Sequence, residues 1–230
     1  MKSLFWSYNL AVKKSYIIRI KNNLTSENLA KRCFESCSRV GQNVEYWDAF
    51  DGTGKEIIPP QNVSDVMGLI KITDHYMTKG EVACALSHIS LWNHCVLIDE
   101  PIVIFEHDAV MVRPYNQHAV FNSICFLGSQ EQTKLGWNVY ATPPHASDGP
   151  NKHFICRAHA YAIDPAVAKN MLAHVIKFGI TDPLDILIRA DLFPIYQMGV
   201  FAYDESGGYT TILNRPKEGR TTKRNDKLEI

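Results

Sequence analysis

Two carboxylates one position apart, Glu106 and Asp108, close an unbroken apolar run from Ile102 to Phe105. On an extended backbone side chains alternate, so the two acids would point one way and His107 the other. Paired carboxylates offer the oxygen ligands that a hard divalent cation takes, and such a cation is useful where a substrate carries a diphosphate. The plainer reading is a strand end that meets solvent and opens a turn. A further acid, Asp185, falls three residues after Asp182-Pro183. That spacing predicts Asp182 as N-cap and Asp185 at the third position of a short helix running to about residue 190. Capping and the helix dipole explain both acids. Asp185, in the first turn, is also placed to project into a cleft and act as a general base. Cys84 and His88 share a helix face, but Cys95 lies nearly two turns further on, too far to complete a zinc site.

These residues need elements to hold them. An apolar run buried on both faces, bounded by Pro101 and by charge, reads as a strand of a parallel sheet. Ligands of open α/β sheets bind beyond the carboxyl ends of such strands, where Glu106 and Asp108 would sit. Residues 15–20 read as the first core strand, followed by a helix over about 26–39 whose apolar face is Leu29, Ala30, Cys33, Phe34 and Cys37. Residues 44–47 make a second strand that closes in the turn Asp48-Ala-Phe-Asp-Gly52, so the rhythm is βαβ. Residues 53–77 lack periodicity and contain Pro59-Pro60, which marks a loop able to fold over a ligand. Thr78-Lys79-Gly80-Glu81 matches a capping box that opens a helix to about 98. Residues 124–127, 158–163 and 193–203 read as further strands, the last interrupted near Gly199, and Asp164-Pro165 opens a helix to about 177. The expected organisation is one domain over 1–214 and a basic, mobile tail over 215–230.

Composition narrows the function classes. Lys+Arg and Asp+Glu both number 24, so no net field draws the chain to nucleic acid or anionic lipid. The six cysteines lack CxxC spacing and sit in apolar runs, which suits reduced, buried thiols in a cytoplasmic setting. No secretory h-region and no apolar run long enough to span a membrane is present, which leaves peripheral membrane contact open. The absence of a Gly-x-Ser-x-Gly elbow, a P-loop and a Gly-x-Gly-x-x-Gly argues against serine hydrolase, NTPase and Rossmann chemistry.

Several segments, in this order, resemble glycosyltransferase family 25, the lipopolysaccharide and procollagen galactosyltransferases. Tyr16-Ile-Ile-Arg-Ile20 is similar to the family's opening I-N-L strand, with Arg32 in the next helix, and Tyr46 to Gly52 to its A-x-D-G turn. Residues 78–92 are similar to its G-E-x-x-C-x-x-S-H-x-x-x-W helix through Gly80, Glu81, Cys84, Ser87, His88 and Trp92. Tyr161-Ala-Ile, Ala168 and Asp185 resemble its Y-x-I, G-A and D, and Thr210-Thr-Ile212 its closing S-T-I.

The resemblance implies a GT-A-like α/β fold with a mostly parallel central sheet flanked by helices. It also implies an inverting transfer of galactose or glucose from a UDP-sugar to a glycan, lipooligosaccharide or other acceptor hydroxyl. Glu106 and Asp108 would hold Mn²⁺ or Mg²⁺ on the donor diphosphate, with Asp185 as base. Ile18, Arg19, Asp51 and Gly52 would flank the nucleoside, and Lys79, Gly80, Ser87 and His88 the ribose and diphosphate. The chain departs from the family in having Glu-His-Asp for Glu-Asp-Asp, so His107 would meet a phosphate or sugar hydroxyl. Two other readings stay in view: a nucleotide-sugar-binding protein without catalysis, and a nucleic-acid acceptor held by the basic tail. The acceptor would contact residues 53–77 and 129–157.

Overall fold

The apolar run after Pro101 is the middle of the sheet, and its side chains divide between two cores. Ile102 and Ile104 enter one cluster with Leu86, Ile89 and Trp92, while Val103 and Phe105 enter another with Ala30, Cys33 and Cys37. All four strand residues are fully buried, and each such side chain contributes about 1.5–3 kcal/mol by leaving water. The computed structural model describes residues 14–73, 77–114, 123–128, 140–142, 158–197 and 201–204. The basic tail, the 210–212 segment and most of 129–157 lie outside these residues.

In chain order the elements are β1 (Lys14–Arg19), α1 (Leu24–Arg39), β2 (Glu45–Asp48), a 3₁₀ turn (Asp65–Leu69), α2 (Lys79–Ile98), β3 (Ile102–Glu106) and β4 (Ala109–Met111). There follow β5 (Ile124–Phe126), β6 (Tyr140–Thr142), β7 (Ala160–Ile163), α3 (Pro165–Phe178), α4 (Leu184–Leu187), β8 (Ile195–Gln197) and β9 (Ala202–Asp204). Seven strands form the main sheet in the order β2-β1-β3-β7-β5-β8-β6. β1, β2, β3, β5 and β8 run one way, and β6 and β7 run against them. This mixed, mostly parallel sheet between helices is the expected α/β class. β4 and β9 pair separately as a short antiparallel ribbon.

Local chemistry sets the helix starts. Asn23 Oδ1 accepts from Ser26 N at 3.0 Å and caps α1. Thr78 and Glu81 form the reciprocal capping box of α2, with Glu81 Oε2 2.8 Å from Thr78 N. Asp164 caps α3 through Val167 N at 2.8 Å, with Pro165 next in line. α2 is buried around most of its circumference, as befits a helix wedged between the sheet and α3.

Two expectations need correction. β3 ends at Glu106, and His107-Asp108 form a turn, so the pleat does not align Glu106 with Asp108. The turn redirects the chain from the main sheet to the β4–β9 ribbon, and that change of partner ends the extended run. Asp182 is not a cap: α4 spans only Leu184–Leu187 after Pro183, and Asp182 Oδ2 accepts from Thr181 Oγ1 at 2.9 Å. Asp185 therefore sits at the second helical position. The aperiodic segment after Gly52 packs on the core through part of its length. Met67 and Ile70 are buried, and Ile72 bridges to Ile180.

Candidate functional site

A cavity of about 340 Å³ opens at the carboxyl ends of β1, β2 and β3, within the size range of small-molecule sites. Its walls include Ile18, Phe50 and Gly52 from the first two strands and their turns, Gly80, Ser87 and His88 from α2, and Glu106, His107 and Asp108 from the strand end. α4 adds Asp185, and β9 adds Asp204. Three of the expected residues do not line it. Arg19 pairs with Asp48 at 3.3 Å and lies over the Tyr46 ring. Asp51 accepts from Thr53 N and Oγ1 within its own turn, and Lys79 Nζ donates to the Lys55 carbonyl.

Gly52 shows why the turn after β2 needs glycine. A Cβ there would stand 2.4 Å from the Lys79 carbonyl oxygen and 2.8 Å from Ala83 Cβ. The first of these obstacles is backbone and cannot swing aside. The turn is held to α2 by Phe50 N, which donates to Ser87 Oγ at 2.9 Å. Gly52→Ala is expected to destabilise the fold by about 1–3 kcal/mol, the usual cost of overpacking, read as a lower midpoint in urea unfolding. An unchanged midpoint would refute this account of the turn.

The electrostatics of the cavity are those of crowded acids. Glu106 is pushed up to about 7, by burial and then by the charges of Asp185 and Asp204. Asp108 is pushed up to about 8, by burial and then by Glu106 and Asp204. Asp108 Oδ1 is buried and makes no hydrogen bond. An orphaned buried carboxylate oxygen beside further acids is costly in the protein alone, and this donor set fits a hard divalent cation. Asp185 Oδ1 accepts from Ala158 N at 3.1 Å, which fixes its carboxylate at the cavity wall. His107 turns toward α1, where its Nδ1 meets Ser26 Oγ at 2.8 Å, and burial lowers it to about 4.

The sequence profile of the family described as "Glycosyltransferase family 25 (LPS biosynthesis protein)" matches residues 12–188. The chain belongs to glycosyltransferase family 25. No curated protein matches it. A solved glycosyltransferase "involved in the glycosylation of the major capsid of PBCV-1" is similar over 70% of this chain, at 10% identity and a TM-score of 0.32. The chain spans 65% of that structure's length.

Within the family 25 helix motif, three of the matched side chains have a structural task. Glu81 completes the cap, Ser87 holds the Phe50 turn, and Trp92 is wholly buried. His88 is also buried, and burial lowers it to about 3. Cys84 Sγ, His88 Nε2 and a Glu106 oxygen lie within 4.8 Å of one another. The helix spacing places Cys95 too far along α2 to join them, and the third group, Glu106, comes from β3. Asp204 was not foreseen either, because only the β4–β9 pairing brings it opposite Ala109. Among the described residues no helix is long and apolar enough to cross a membrane. The five described cysteines are free thiols.

Proposed function

We propose that this family 25 protein transfers a hexose, galactose or glucose, from a UDP-sugar to an acceptor hydroxyl with inversion at the anomeric carbon. The observation that carries the reading is the convergence of Glu106, Asp108, Asp185 and Asp204 on one cavity, with Asp108 Oδ1 buried and unbonded. Glu106 and Asp108 would hold Mn²⁺ or Mg²⁺. When bound, the ion neutralises charge that builds on the departing nucleoside diphosphate. Ile18, Phe50 and Gly52 shape the part of the cavity at the ends of β1 and β2, where the nucleoside is placed in this reading. Asp185, held by Ala158 N, takes the proton from the acceptor hydroxyl as that oxygen attacks the anomeric carbon and the bond to UDP breaks. A glycan or lipooligosaccharide is the acceptor class that fits, and the cytoplasmic face of a membrane is the location that suits a lipid-linked one.

The deciding experiment is UDP release from UDP-galactose and UDP-glucose, with and without Mn²⁺. Metal-dependent release supports the reading. Tight UDP binding without release from any UDP-hexose would instead identify a sugar-nucleotide-binding protein that does not catalyse transfer.

The raised acids give this reading a pH signature. A carboxyl group whose folded pKa is raised favours the fold while protonated, and that contribution is lost as pH climbs through the raised value. For Glu106 and Asp108 the loss begins above the ordinary carboxylate range, about pH 4, and is complete by about pH 7 and about pH 8. A bound cation offsets it by pairing with the ionised forms. Thermal unfolding with and without Mn²⁺ is therefore expected to show a shift that grows from about pH 6 to about pH 8.5. A shift that is equal or larger at the acid end would count against both acids as ligands.

A further inference from the structure

Behind the cavity wall a line of hydrogen bonds runs from the core to Glu106. Trp92 Nε1 donates to Tyr161 Oη at 2.9 Å, Tyr161 Oη lies 2.8 Å from His88 Nδ1, and His88 Nε2 lies 3.2 Å from Glu106 Oε1. Trp92 and Tyr161 are completely buried and His88 is 1% exposed. Tyr161 and His88 also stack, with ring planes 13° apart. Trp92, Tyr161 and His88 are closed off from bulk solvent, so their hydrogens are placed among themselves and Glu106.

The proton positions follow by counting donors and acceptors. An indole nitrogen can only donate, so Tyr161 oxygen accepts from Trp92. The phenol hydrogen then needs an acceptor, and His88 Nδ1 is the one within reach. Nδ1 is thus the bare nitrogen, and a neutral imidazole must carry its proton on Nε2, which faces the Glu106 carboxylate. The reverse tautomer would strand the phenol hydrogen and, where Glu106 is ionised, set a lone pair against a carboxylate oxygen. Each fault leaves a buried polar group unsatisfied.

The same count settles what the Cys84, His88 and Glu106 cluster can do. A soft metal there would need the lone pair of His88 Nε2, the atom that the chain of hydrogen bonds protonates. Cys84 Sγ also turns to Glu106 Oε1, at 3.8 Å. Both hydrogen bonds to the Glu106 side chain therefore fall on Oε1, which leaves Oε2 for a ligand.

We infer that Trp92 and Tyr161 fix His88 as the Nε2–H tautomer, so that His88 acts as a positioning residue for the Glu106 carboxylate rather than as a contact to the sugar donor. The effect on cation binding rests on the reading of Glu106 as a ligand, whereas the tautomer does not. A ligand held by an outer hydrogen bond binds its metal more tightly, and losing such a partner costs on the order of 10- to 100-fold in affinity.

The test combines ¹⁵N NMR of histidine-labelled protein with Mn²⁺ titration by electron paramagnetic resonance. In the wild type, His88 is expected to show an unprotonated Nδ1 and a protonated Nε2, assigned by the signals lost in His88→Gln. Tyr161→Phe, which keeps the ring and the volume, is expected to mix the tautomers and weaken Mn²⁺ binding about 10-fold. His88→Ala is expected to weaken it further, and His88→Gln, whose amide can donate to Oε1, to recover most of the loss. Circular dichroism confirms that each variant is folded. A protonated Nδ1 in the wild type, or a folded His88→Gln as impaired as His88→Ala, overturns the inference. The expected tautomer without any Mn²⁺ binding upholds the positioning chain and overturns the cation reading alone.

Discussion

Replacing Asp108 by Asn is expected to lower metal-dependent turnover of a UDP-hexose by on the order of 10²- to 10³-fold, the scale seen when one stabilising group is removed from a site of developing charge. The substitution keeps the volume and removes the charge. In the protein alone that charge is a burden, since burial and the nearby Glu106 and Asp204 all oppose its ionisation, and its Oδ1 has no hydrogen bond. Asp108→Asn should therefore leave the metal-free fold as stable as the wild type, or more stable, above about pH 8. It should also abolish the Mn²⁺-dependent rise in unfolding temperature. Lower activity combined with undiminished stability is the mark of a residue kept for its ligand. Full activity in Asp108→Asn would remove it from the site. A variant that loses activity only because it unfolds would show Asp108 to be structural.

How much of this could be read from residues alone depended on how local the signal was. The β3 run, the Thr78-Glu81 cap and the Asp164-Pro165 start are written in a few adjacent positions, and they occur where expected. The turn at His107-Asp108 was hidden because nothing next to it announces that β4 will leave the main sheet and pair with β9. Asp204 was hidden for the same reason: its place at the cavity comes from a partner nearly a hundred positions earlier. Asp182-Pro183 has the composition of a helix cap, yet α4 makes only one turn, and Asp182 bonds Thr181 instead. The same contrast applies to His88. The family helix motif singles it out, but its task depends on Tyr161, brought alongside by the antiparallel pairing of β7 with β3.

Asp185 is the residue whose role the fold constrains least and chemistry most. Asp185→Asn is expected to cut kcat by about 10²- to 10⁴-fold, the usual contribution of a positioned proton acceptor. Its KM for the donor should move little. Asn retains the Oδ1 that accepts from Ala158 N, so the wall of the cavity should keep its shape. The charge that Asp185 places near Glu106 is one cause of that residue's raised pKa. Its removal should make Glu106 easier to ionise, and Mn²⁺ affinity should hold or rise. A fall in kcat with metal binding intact separates a base from a ligand: loss of a ligand lowers both together, as for Asp108. A loss of Mn²⁺ affinity in Asp185→Asn equal to its loss of turnover would move Asp185 into the metal set. The proton acceptor would then have to be sought elsewhere along the cavity, beginning with Asp204, which lines it from β9.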